Sequence, residues 1–327
     1  MSDRPAAATA RAHSNIALIK YWGKRDAALN LPAVGSISIA LDALYTDTRV
    51  TFVPAMTADK VEIGGRQVDG ARFTRFLDLI RAQSGRRSYA RVESWNNFPT
   101  GAGLASSASG FAALALAGTH AAGLDLSPRE LSILARQGSG SAARSVFGGF
   151  AEMHRGEAAD GTDAFAEPLL GADEWPLDVI VAVTDKASKS VNSTLGMSQL
   201  AERSDFYGAW VEHAEGDLAD MRSAIAARDF GMLGALAEMS CLKMHGLMLS
   251  TRPGLLYWNA ATVASMHAVR TLRSNGVEVY FTIDAGPQVK AICQPADSER
   301  VAATLAQVPG VLETRRSGLG PAAYRVD

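Results

Sequence analysis

One stretch of the sequence constrains the fold more than any other. A strand pattern, a glycine-rich loop and a helical run of small residues follow one another in it without a break. Residues 89–95 alternate as a strand does, and the loop at residues 99–109 follows directly. The helical run covers residues 106–122 and is apolar around most of its circumference. Because such a helix is stable only when other elements cover it, we expect it to be buried.

Strand and helix patterns alternate along the rest of the chain, which predicts a protein that mixes strands and helices. In the first half, residues 46–52 read as a strand and residues 71–83 as an amphipathic helix. Ser127 and Glu130 have the spacing of a capping box and predict the start of a further helix. The second half has strand patterns at residues 177–183, 277–283 and 322–326, and helical patterns at residues 206–227, 230–249 and 255–274.

The length of 327 residues suits about two domains or one large one. The polar, glycine-containing segment at residues 156–174 is the best boundary region. We therefore predict a first domain at residues 1–175 and a second domain at residues 176–327. Residues 1–14 are rich in alanine and lack the apolar core of a signal peptide, which predicts a frayed N-terminal tail.

Charge balance and cysteine content restrict the partners and the compartment. The chain has 32 Lys and Arg against 34 Asp and Glu, which argues against nucleic acid or an anionic membrane as the main partner. Cys241 and Cys293 form no C-x-x-C pair, and they predict free thiols in a reducing compartment. No run approaches the roughly 20 apolar residues that a membrane span requires. We therefore expect a soluble, cytoplasmic protein.

The glycine-rich loop has the composition of a phosphate site. Gly101 and Gly103 let the main chain approach a ligand closely, and serine hydroxyls follow at Ser106, Ser107 and Ser109, where the helix begins. The N-terminus of a helix offers N–H groups and the positive end of a dipole, which suit a phosphate. The loop is neither a Walker A motif nor a dinucleotide fingerprint. From these residues alone, a phosphate site and a helix cap without a ligand are equally compatible with the pattern.

Charged residues elsewhere are candidates for anion binding and proton transfer. Lys20 and Lys24 follow an apolar strand pattern, and Arg144 lies among small residues, where its guanidinium can grip a carboxylate or phosphate. Asp284 stands where an apolar strand meets a tight turn, which can tune the pKa of a general base. The alternatives are solvated cations and an aspartate that only caps its turn. For Asp284, the residues alone favour the cap.

Five strings in this sequence resemble motifs of known enzymes. The string PTGAGLASSA, which begins at residue 99, resembles the P-x-x-x-G-L-x-S-S-A signature of the GHMP small-molecule kinase superfamily. With the preceding NNF, it resembles the diphosphomevalonate decarboxylase family in particular. The other strings that are similar to motifs of that family are NIALIKYWGK at residues 15–24, GSGSAARS at 138–145, STLGM at 193–197 and FTIDAGP at 281–287.

This resemblance implies a fold and a set of site residues. The implied fold is the GHMP kinase fold, an α+β arrangement of two lobes with the active site in the cleft between them, and family members are commonly homodimers. The catalytic residues would be Asp284 as the base, with Lys20 and Arg144. The ATP-binding residues would be Pro99, Gly101, Gly103, Leu104, Ala105, Ser106 and Ser107, with Ser107 also at Mg²⁺. The substrate-binding residues would be Tyr21, Trp22, Gly23, Lys24, Arg72, Ser139, Gly140, Ser141, Ala142, Ala143, Arg144, Ser193 and Thr194.

The resemblance also implies a reaction. ATP, with Mg²⁺, would phosphorylate the tertiary hydroxyl of (R)-5-diphosphomevalonate in the mevalonate pathway of isoprenoid biosynthesis. Loss of that phosphate and of the carboxylate would give isopentenyl diphosphate, ADP, phosphate and CO₂. One alternative is a GHMP kinase that acts on mevalonate or phosphomevalonate without decarboxylation, and another is a ligand-binding protein on the same fold. The sequence leaves open whether the substrate carries a monophosphate or a diphosphate.

Overall fold

The computed structural model describes residues 6–98, 105–187, 193–197 and 201–326. No helix in these ranges is both long and apolar enough to cross a membrane. The strands, in chain order, are β1 (Ala6–Ile19), β2 (Lys24–Asp26), β3 (Leu31–Pro32), β4 (Ser36–Val53), β5 (Lys60–Ile63), β6 (Arg66–Gln67), β7 (Tyr89–Asn96), β8 (Phe150–Met153), β9 (Ala166–Leu170), β10 (Asp178–Val183), β11 (Val279–Thr282), β12 (Val289–Cys293), β13 (Glu313–Ser317) and β14 (Tyr324–Arg325). The α-helices are α1 (Ala71–Ser84), α2 (Ser106–Ala122), α3 (Pro128–Gly138), α4 (Ser193–Leu195), α5 (Tyr207–Ala227), α6 (Phe230–Leu249), α7 (Ala260–Ser274) and α8 (Ser298–Ala306). Short 3-10 helices span Gly140–Val146, Ala201–Arg203 and Pro295–Asp297.

The first sheet is built around the two long strands β1 and β4. They pair antiparallel from Ala6 opposite Phe52 to Ile19 opposite Ile37, and the sheet runs in the order β14–β1–β4–β7–β5–β6. β8 also pairs with β4, and β9 pairs with β8. Helices α1, α2 and α3 pack against this sheet around one hydrophobic core.

The N-terminal segment forms a strand from Ala6 onward, so the prediction of a frayed tail is wrong for residues 6–14, while residues 1–5 lie outside the described residues. Ala8, Ala10 and Ala12 are buried in the core that β1 shares with α2. Their small side chains allow the helix to approach the strand closely. Because alanine is depleted in strands in general, an alternation between alanine and polar residues carried no visible strand signal.

Helix α2 has the bounds that the sequence predicts, and it is buried as expected. Phe111, Leu114 and Ala117 are all within the core. At Gly118, a β-carbon would lie 2.6 Å from the Ile80 side chain of α1. The small residues of α2 therefore allow its close packing against both β1 and α1.

The second sheet is antiparallel and runs in the order β11–β12–β10–β13. Its strand β10 is buried on both faces, because Val179 and Val181 face one core while Ile180 and Ala182 face another. The first of these cores also contains side chains of β1, β4, α5 and α6, so the two sheets pack together through it. The second core contains side chains of α7 and α8.

The mainly antiparallel sheets with separate helices confirm the α+β class. The strands do not follow one simple division of the chain, however. β9 lies inside the polar segment predicted as a boundary, and it belongs to the first sheet. The C-terminal strand β14 also returns to the first sheet, where it pairs with β1. The division into domains at residues 1–175 and 176–327 stays a prediction.

Helix α7 begins later than the sequence pattern indicates, at Ala260 instead of residue 255. The reason is a capping box, in which the Asn259 side chain accepts a hydrogen bond from the main-chain N–H of Thr262 at 2.8 Å. The main-chain N–H of Asn259 in turn donates to the Thr262 hydroxyl at 3.2 Å. Such a box satisfies N–H groups at the first turn and so sets where the helix begins.

Candidate active site

A cavity of about 790 Å³ lies among elements that are distant in the sequence. It is bounded by the segment after β1, the helix α1, the N-terminus of α2, the end of α3 and the turn after β11. The polar and charged residues that line it, together with two aromatic residues, are Asn15, Lys20, Tyr21, Trp22, Lys24, Asn30, Arg72, Arg75, Ser106, Ser107, Gln137, Ser141, Arg144, Ser193 and Asp284.

Asp284 lies between two lysines at this cavity. The Nζ atom of Lys20 donates to Oδ1 of Asp284 at 2.6 Å, and the Nζ atom of Lys290 donates to Oδ2 at 3.1 Å. The side chains of both lysines are 1% exposed, whereas that of Asp284 is 24% exposed. The carboxylate is therefore partly open to the cavity, whereas both lysine side chains are buried.

Main-chain and side-chain contacts between the two sheets bring these groups together. Lys20 follows β1, and its main-chain N–H donates to the Ser240 hydroxyl on α6 at 2.9 Å. The Thr282 hydroxyl at the end of β11 donates to the carbonyl oxygen of Ala17 on β1 at 3.2 Å. Lys290 lies opposite Thr282 on β12, so it shares the region where β11 meets β1.

The two lysines change the protonation behaviour of Asp284. Burial alone would raise the pKa of its carboxyl, but Lys20 and Lys290 outweigh that effect and hold the pKa well below its usual range. Burial lowers the pKa of Lys290, and the charge of Asp284 opposes that shift. Asp284 is therefore a carboxylate at neutral pH in the free protein.

Arg144 is a buried cation whose hydrogen-bond partners are neutral. Its Nε donates to the Ser38 hydroxyl at 2.9 Å, one terminal nitrogen donates to the Ser36 hydroxyl, and the other donates to Oδ1 of Asn15 at 3.1 Å. Burial lowers the pKa of Arg144 to about 10, although the charge of Asp284 opposes this shift. The guanidinium therefore stays charged at neutral pH and is held rigidly at the cavity, where an anionic group can pair with it.

Tyr21 places an unsatisfied polar group at the cavity. Its hydroxyl is buried, and no atom of the described residues forms a hydrogen bond with it. A β-carbon at Gly140 would lie 2.6 Å from this hydroxyl, so glycine at that position makes room for it. A buried hydroxyl without a partner is costly, and the position of Tyr21 suits a ligand group that would supply one.

A second group of cations lines the cavity from α1 and the segment after β1. Lys24 donates to Oδ1 of Asn30 at 2.5 Å, and Arg72 donates to the carbonyl oxygen of Gly138 at 2.7 Å. Burial, aided by the charge of Arg72, lowers the pKa of Lys24 to about 8. Arg75 adds a further positive charge one turn along α1.

The N-terminus of α2 faces the same cavity. Ala105 precedes the helix with φ of 58°, a left-handed conformation that is uncommon for a residue with a side chain. No side chain caps the helix, and Ser106 and Ser107 line the cavity. The Ser107 hydroxyl accepts a hydrogen bond from that of Ser139 at 3.3 Å. The other predicted ATP-binding residues lie outside the described residues, and these are Pro99, Gly101, Gly103 and Leu104.

Trp22 supports the segment that carries Ser193. The indole is 1% exposed and lies in a small core with Met244 and Leu255, against which Met197 packs. Gly196 lies so close that a β-carbon there would be 2.8 Å from the indole ring. Ser193 lines the cavity at the start of α4, whereas the side chain of Thr194 lies outside the described part of the chain.

Two family models match the chain. The diphosphomevalonate decarboxylase-like N-terminal domain matches residues 12–166, and the mevalonate 5-diphosphate decarboxylase C-terminal domain matches residues 179–317. The chain belongs to the diphosphomevalonate decarboxylase family. The family membership inferred from the five sequence strings is therefore confirmed.

Individual members of the diphosphomevalonate decarboxylase family are similar over most of their length. The diphosphomevalonate decarboxylase of Homo sapiens is 37% identical over 309 residues, which cover 88% of this chain and 76% of the human protein. The phosphomevalonate decarboxylase of Haloferax volcanii is 35% identical, with 98% of each chain covered. A diphosphomevalonate decarboxylase and a phosphomevalonate decarboxylase therefore match this chain at similar identity.

Solved structures of decarboxylases from this family confirm the GHMP kinase fold that the resemblance implies. MDDEF in complex with MVAPP, AMPPCP and magnesium superposes with a TM-score of 0.92 at 39% identity, covering 99% of this chain and 100% of that one. Mevalonate diphosphate decarboxylase from Staphylococcus aureus gives a TM-score of 0.92 at 38% identity, with 99% of each chain covered.

The structure brings most of the site residues predicted for a diphosphomevalonate decarboxylase to one cavity. Those that line it are Lys20, Tyr21, Trp22, Lys24, Arg72, Ala105, Ser106, Ser107, Ser141, Arg144, Ser193 and Asp284. Gly23, Ser139 and Gly140 are described but do not line it. The side chains of Ala142 and Ala143 pack in hydrophobic cores. Any contact of these two residues with a ligand would therefore come from main-chain atoms.

Three residues at the site were not predicted from the sequence. Lys290 stands alone as a charge within the apolar string VKAIC of β12, and that isolation was an available signal. Arg75 follows Arg72 at the i+3 spacing that places side chains on one helix face. Asn15 begins the family string at residues 15–24, and its uncharged side chain gives no sign of an anion-binding site.

The cavity suits polyanionic ligands of the kind that these decarboxylases bind. Its described lining has five cations, Lys20, Lys24, Arg72, Arg75 and Arg144, against the single carboxylate of Asp284. Among the described residues, no group of three His, Cys, Asp or Glu side chains could hold a metal ion. A magnesium ion here would therefore take most of its oxygen ligands from phosphates, and the Ser107 hydroxyl is available as a further one.

Proposed function

We propose that this protein catalyses the ATP-dependent decarboxylation of (R)-5-diphosphomevalonate to isopentenyl diphosphate, ADP, phosphate and CO₂. The observation that carries the proposal is the ionised Asp284, which is paired with Lys20 at the cavity. All other charged side chains in the described lining of that cavity are cations. Membership of the diphosphomevalonate decarboxylase family supports the same reaction. MDDEF, a structural relative, was solved with MVAPP, an ATP analogue and magnesium.

In the first step, the tertiary hydroxyl of the substrate lies at Asp284 and attacks the γ-phosphorus of ATP. A bond forms between this oxygen and phosphorus, the bond to the bridging oxygen breaks, and its electron pair leaves with ADP. The hydroxyl proton passes to Asp284. Lys20 keeps the carboxylate in place and offsets negative charge that develops between the two substrates.

In the second step, the new phosphate leaves from the tertiary carbon with the C–O electron pair. The electrons of the bond to the carboxylate then form the carbon–carbon double bond, and CO₂ departs. Arg144 is placed to pair with the substrate carboxylate, since its own hydrogen bonds go to Ser36, Ser38 and Asn15. A guanidinium held in this way orients the carboxylate for departure.

The remaining positive groups divide between the two polyanions. Lys24 and Arg72, with Arg75, would bind the diphosphate of the substrate. The N-terminus of α2, with Ser106 and Ser107, would bind the ATP phosphates, as helix N-termini do. Mg²⁺, bound to those phosphates and to Ser107, would neutralise charge on the phosphate oxygens.

The proposal also includes the compartment, the oligomeric state and the arrangement of the two lobes. The protein is a cytoplasmic homodimer, its two lobes divide at residues 1–175 and 176–327, and the active site lies in the cleft between them. Family membership supports them, together with the packing of β10 against β1 and β4 in one shared core.

Phosphomevalonate is the second candidate substrate. The relative from Haloferax volcanii is named a phosphomevalonate decarboxylase, and the match covers 98% of each chain. Both substrates share the tertiary hydroxyl and the carboxylate, so the roles of Asp284 and Arg144 would be the same. A kinase that stops at the phosphorylated product is a third possibility, and only the products distinguish it.

A product assay tests the proposal. The protein is incubated with ATP, Mg²⁺ and either mevalonate, phosphomevalonate or diphosphomevalonate, each labelled at the carboxyl carbon, and CO₂ and ADP are measured. We expect equal amounts of CO₂ and ADP with diphosphomevalonate. Formation of ADP without CO₂ would mean a kinase, and CO₂ release with phosphomevalonate alone would establish the second candidate substrate.

A further inference from the structure

Lys290 is a buried charge that the mechanism above does not use. It lies within β12, opposite Val181 on one neighbouring strand and Thr282 on the other. Its side chain is 1% exposed and does not line the cavity. It donates to the Oδ2 atom of Asp284 at 3.1 Å, whereas Lys20 donates to Oδ1.

Packing alone does not account for a lysine at this position. Val181, opposite Lys290 on β10, and Ile292, on the same face of β12, are fully buried apolar residues in the core between the two sheets. Burying an ammonium is costly unless it is paired, and replacing a buried ion pair by apolar groups is often neutral or stabilising. The contact with the carboxylate of Asp284 therefore explains why a charged residue is buried at this position.

Apart from Lys20, which contacts Oδ1, the other groups near Asp284 do not supply a second charge to its carboxylate at neutral pH. From α6, burial lowers the pKa of His245 to about 3, and burial raises the pKa of the Cys241 thiol to about 11, so both are neutral. From the 3-10 helix, Arg144 is charged but directs its hydrogen bonds elsewhere. Tyr21, which follows Lys20, is a buried neutral phenol.

We propose that Lys290 is a positioning residue for the reaction. It binds the Oδ2 atom of Asp284 and keeps the carboxylate ionised. Oδ1 then stays turned toward the cavity, where it accepts a hydrogen bond from the substrate hydroxyl. Lys20 shares Oδ1 with that hydroxyl, whereas Lys290 touches neither substrate. This inference rests on the proposed function, because it assigns Asp284 to the substrate hydroxyl.

The proposal predicts a pattern that a purely structural role would not produce. Removing the charge of Lys290 should lower kcat at neutral pH by about tenfold or more, as expected for loss of a charge-assisted hydrogen bond. The KM values for both substrates should change little, because Lys290 does not line the cavity. The acid limb of the kcat profile should move upward by about one pH unit or more, since loss of a nearby cation raises the pKa of a carboxyl.

The experiment compares Lys290→Met and Lys290→Gln with the wild-type protein and with Lys243→Met. Lys243 is a matched control because it is ion-paired with Asp217 at 2.8 Å on the outer surface, away from the cavity. CO₂ release is measured over a range of pH for each protein, with the folded fraction determined in parallel. A Lys290 variant that keeps the kcat and the pH profile of Lys243→Met would overturn the proposal.

Coupling through Asp284 gives an independent test. In the Asp284→Asn background, Lys290→Met should cause little further loss of kcat, since the group on which it acts is gone. A further loss as large as in the wild-type background would contradict the proposal. This comparison separates an effect through Asp284 from general damage to β12.

A measurement without substrate keeps the inference separate from the proposed function. In protein labelled with ¹³C-aspartate, the carboxyl of Asp284, assigned by comparison with Asp284→Asn, should titrate below its ordinary value of about 3.9 in the wild type and at a higher pH in Lys290→Met. Titration at the same pH in both proteins would overturn the inference. Wild-type protein that titrates as expected but releases no CO₂ from any substrate would refute the proposed function alone.

Discussion

At the scale of single residues, the two lysines beside Asp284 decide what kind of base it can be. A carboxylate whose pKa lies well below its usual range does not remove a proton from a free alcohol. The hydroxyl becomes strongly acidic only as its oxygen bonds to phosphorus. Asp284 would therefore orient the hydroxyl at first and take the proton late, which suits a loose phosphoryl-transfer transition state.

Replacing Asp284 by asparagine tests this role. Asp284→Asn keeps the shape of the side chain but cannot accept the proton, so CO₂ release should fall by about 10²–10⁴-fold. ATP affinity, measured by equilibrium dialysis, should stay the same because the N-terminus of α2 is unchanged. Asp217→Asn, at the surface ion pair with Lys243, should behave as wild type. Near-normal CO₂ release by a folded Asp284→Asn protein would remove Asp284 from the catalytic step.

Lys24 gives the site a pH dependence on the alkaline side. Its pKa in the folded protein is lowered to about 8, by burial and then by Arg72, so its charge is lost as the pH rises through that value. We expect kcat/KM for diphosphomevalonate to fall across the same range. Lys24→Arg keeps the charge at all these pH values and should move the fall to higher pH, whereas Lys60→Arg on the exposed β5 should not. An unchanged fall in Lys24→Arg would assign it to another group.

At the scale of elements, α2 combines two properties that arise from the same small residues. Its apolar body packs closely on β1 and α1, and its first turn, with Ser106 and Ser107, is left open to the cavity. The left-handed Ala105 lets the chain enter the helix sharply without a side-chain cap. The strain at such a residue is typical of ligand-binding loops.

The first turn of α2 can be tested by removing one hydroxyl. Ser107→Ala should lower turnover by about tenfold or more if the hydroxyl contacts charged phosphate or its metal ion, since such hydrogen bonds are strong. The fold should survive, as judged by the unfolding midpoint. Ser223→Ala removes an exposed hydroxyl on α5 that donates to the Ala219 carbonyl oxygen, and it should leave turnover unchanged. Equal kinetics of the two variants would exclude Ser107 from the mechanism.

At the scale of the whole molecule, the C-terminal segment closes the structure onto the first sheet. Leu319 bridges Leu41, and the N–H of Gly320 donates to the carbonyl oxygen of Ala40 at 2.9 Å. The N–H of Ala323 donates to the carbonyl oxygen of Val146 at 3.1 Å, next to the 3-10 helix that carries Arg144. Docking of the last strand thus supports an element of the active site.

One glycine allows this docking, and its substitution should weaken it. A β-carbon at Gly148 would lie 2.5 Å from main-chain atoms of Pro321 and Ala322. Gly148→Ala should therefore lower the free energy of unfolding by about 1–3 kcal/mol, as overpacking does. Gly246→Ala on α6 meets no atom within 4 Å and should leave stability unchanged or slightly raised. Urea unfolding of both variants measures the difference, and equal stabilities would show that the C-terminal segment docks differently.

Local patterns in the sequence determined those parts that short-range physics controls. The bounds of α2 follow from a run of small apolar residues, and the start of α3 follows from the capping box of Ser127 and Glu130. The family strings also named Lys20 and Asp284 in advance, although 264 positions separate them. What local patterns could not provide was the first part of β1, residues 6–14, because its alternating alanines have little strand propensity of their own.

Only the tertiary structure decided which side chains share one environment. The contacts of Lys290 and Lys20 with the two oxygens of Asp284 depend on how β11 and β12 pack against β1. The pKa of a carboxyl depends on burial and on charges a few ångströms away, and sequence spacing does not report either distance. The neutral partners of Arg144 likewise come from β1 and β4, which meet it only in the folded chain. Sequence therefore determined which groups are present, and packing determined how strongly each one is charged and where it points.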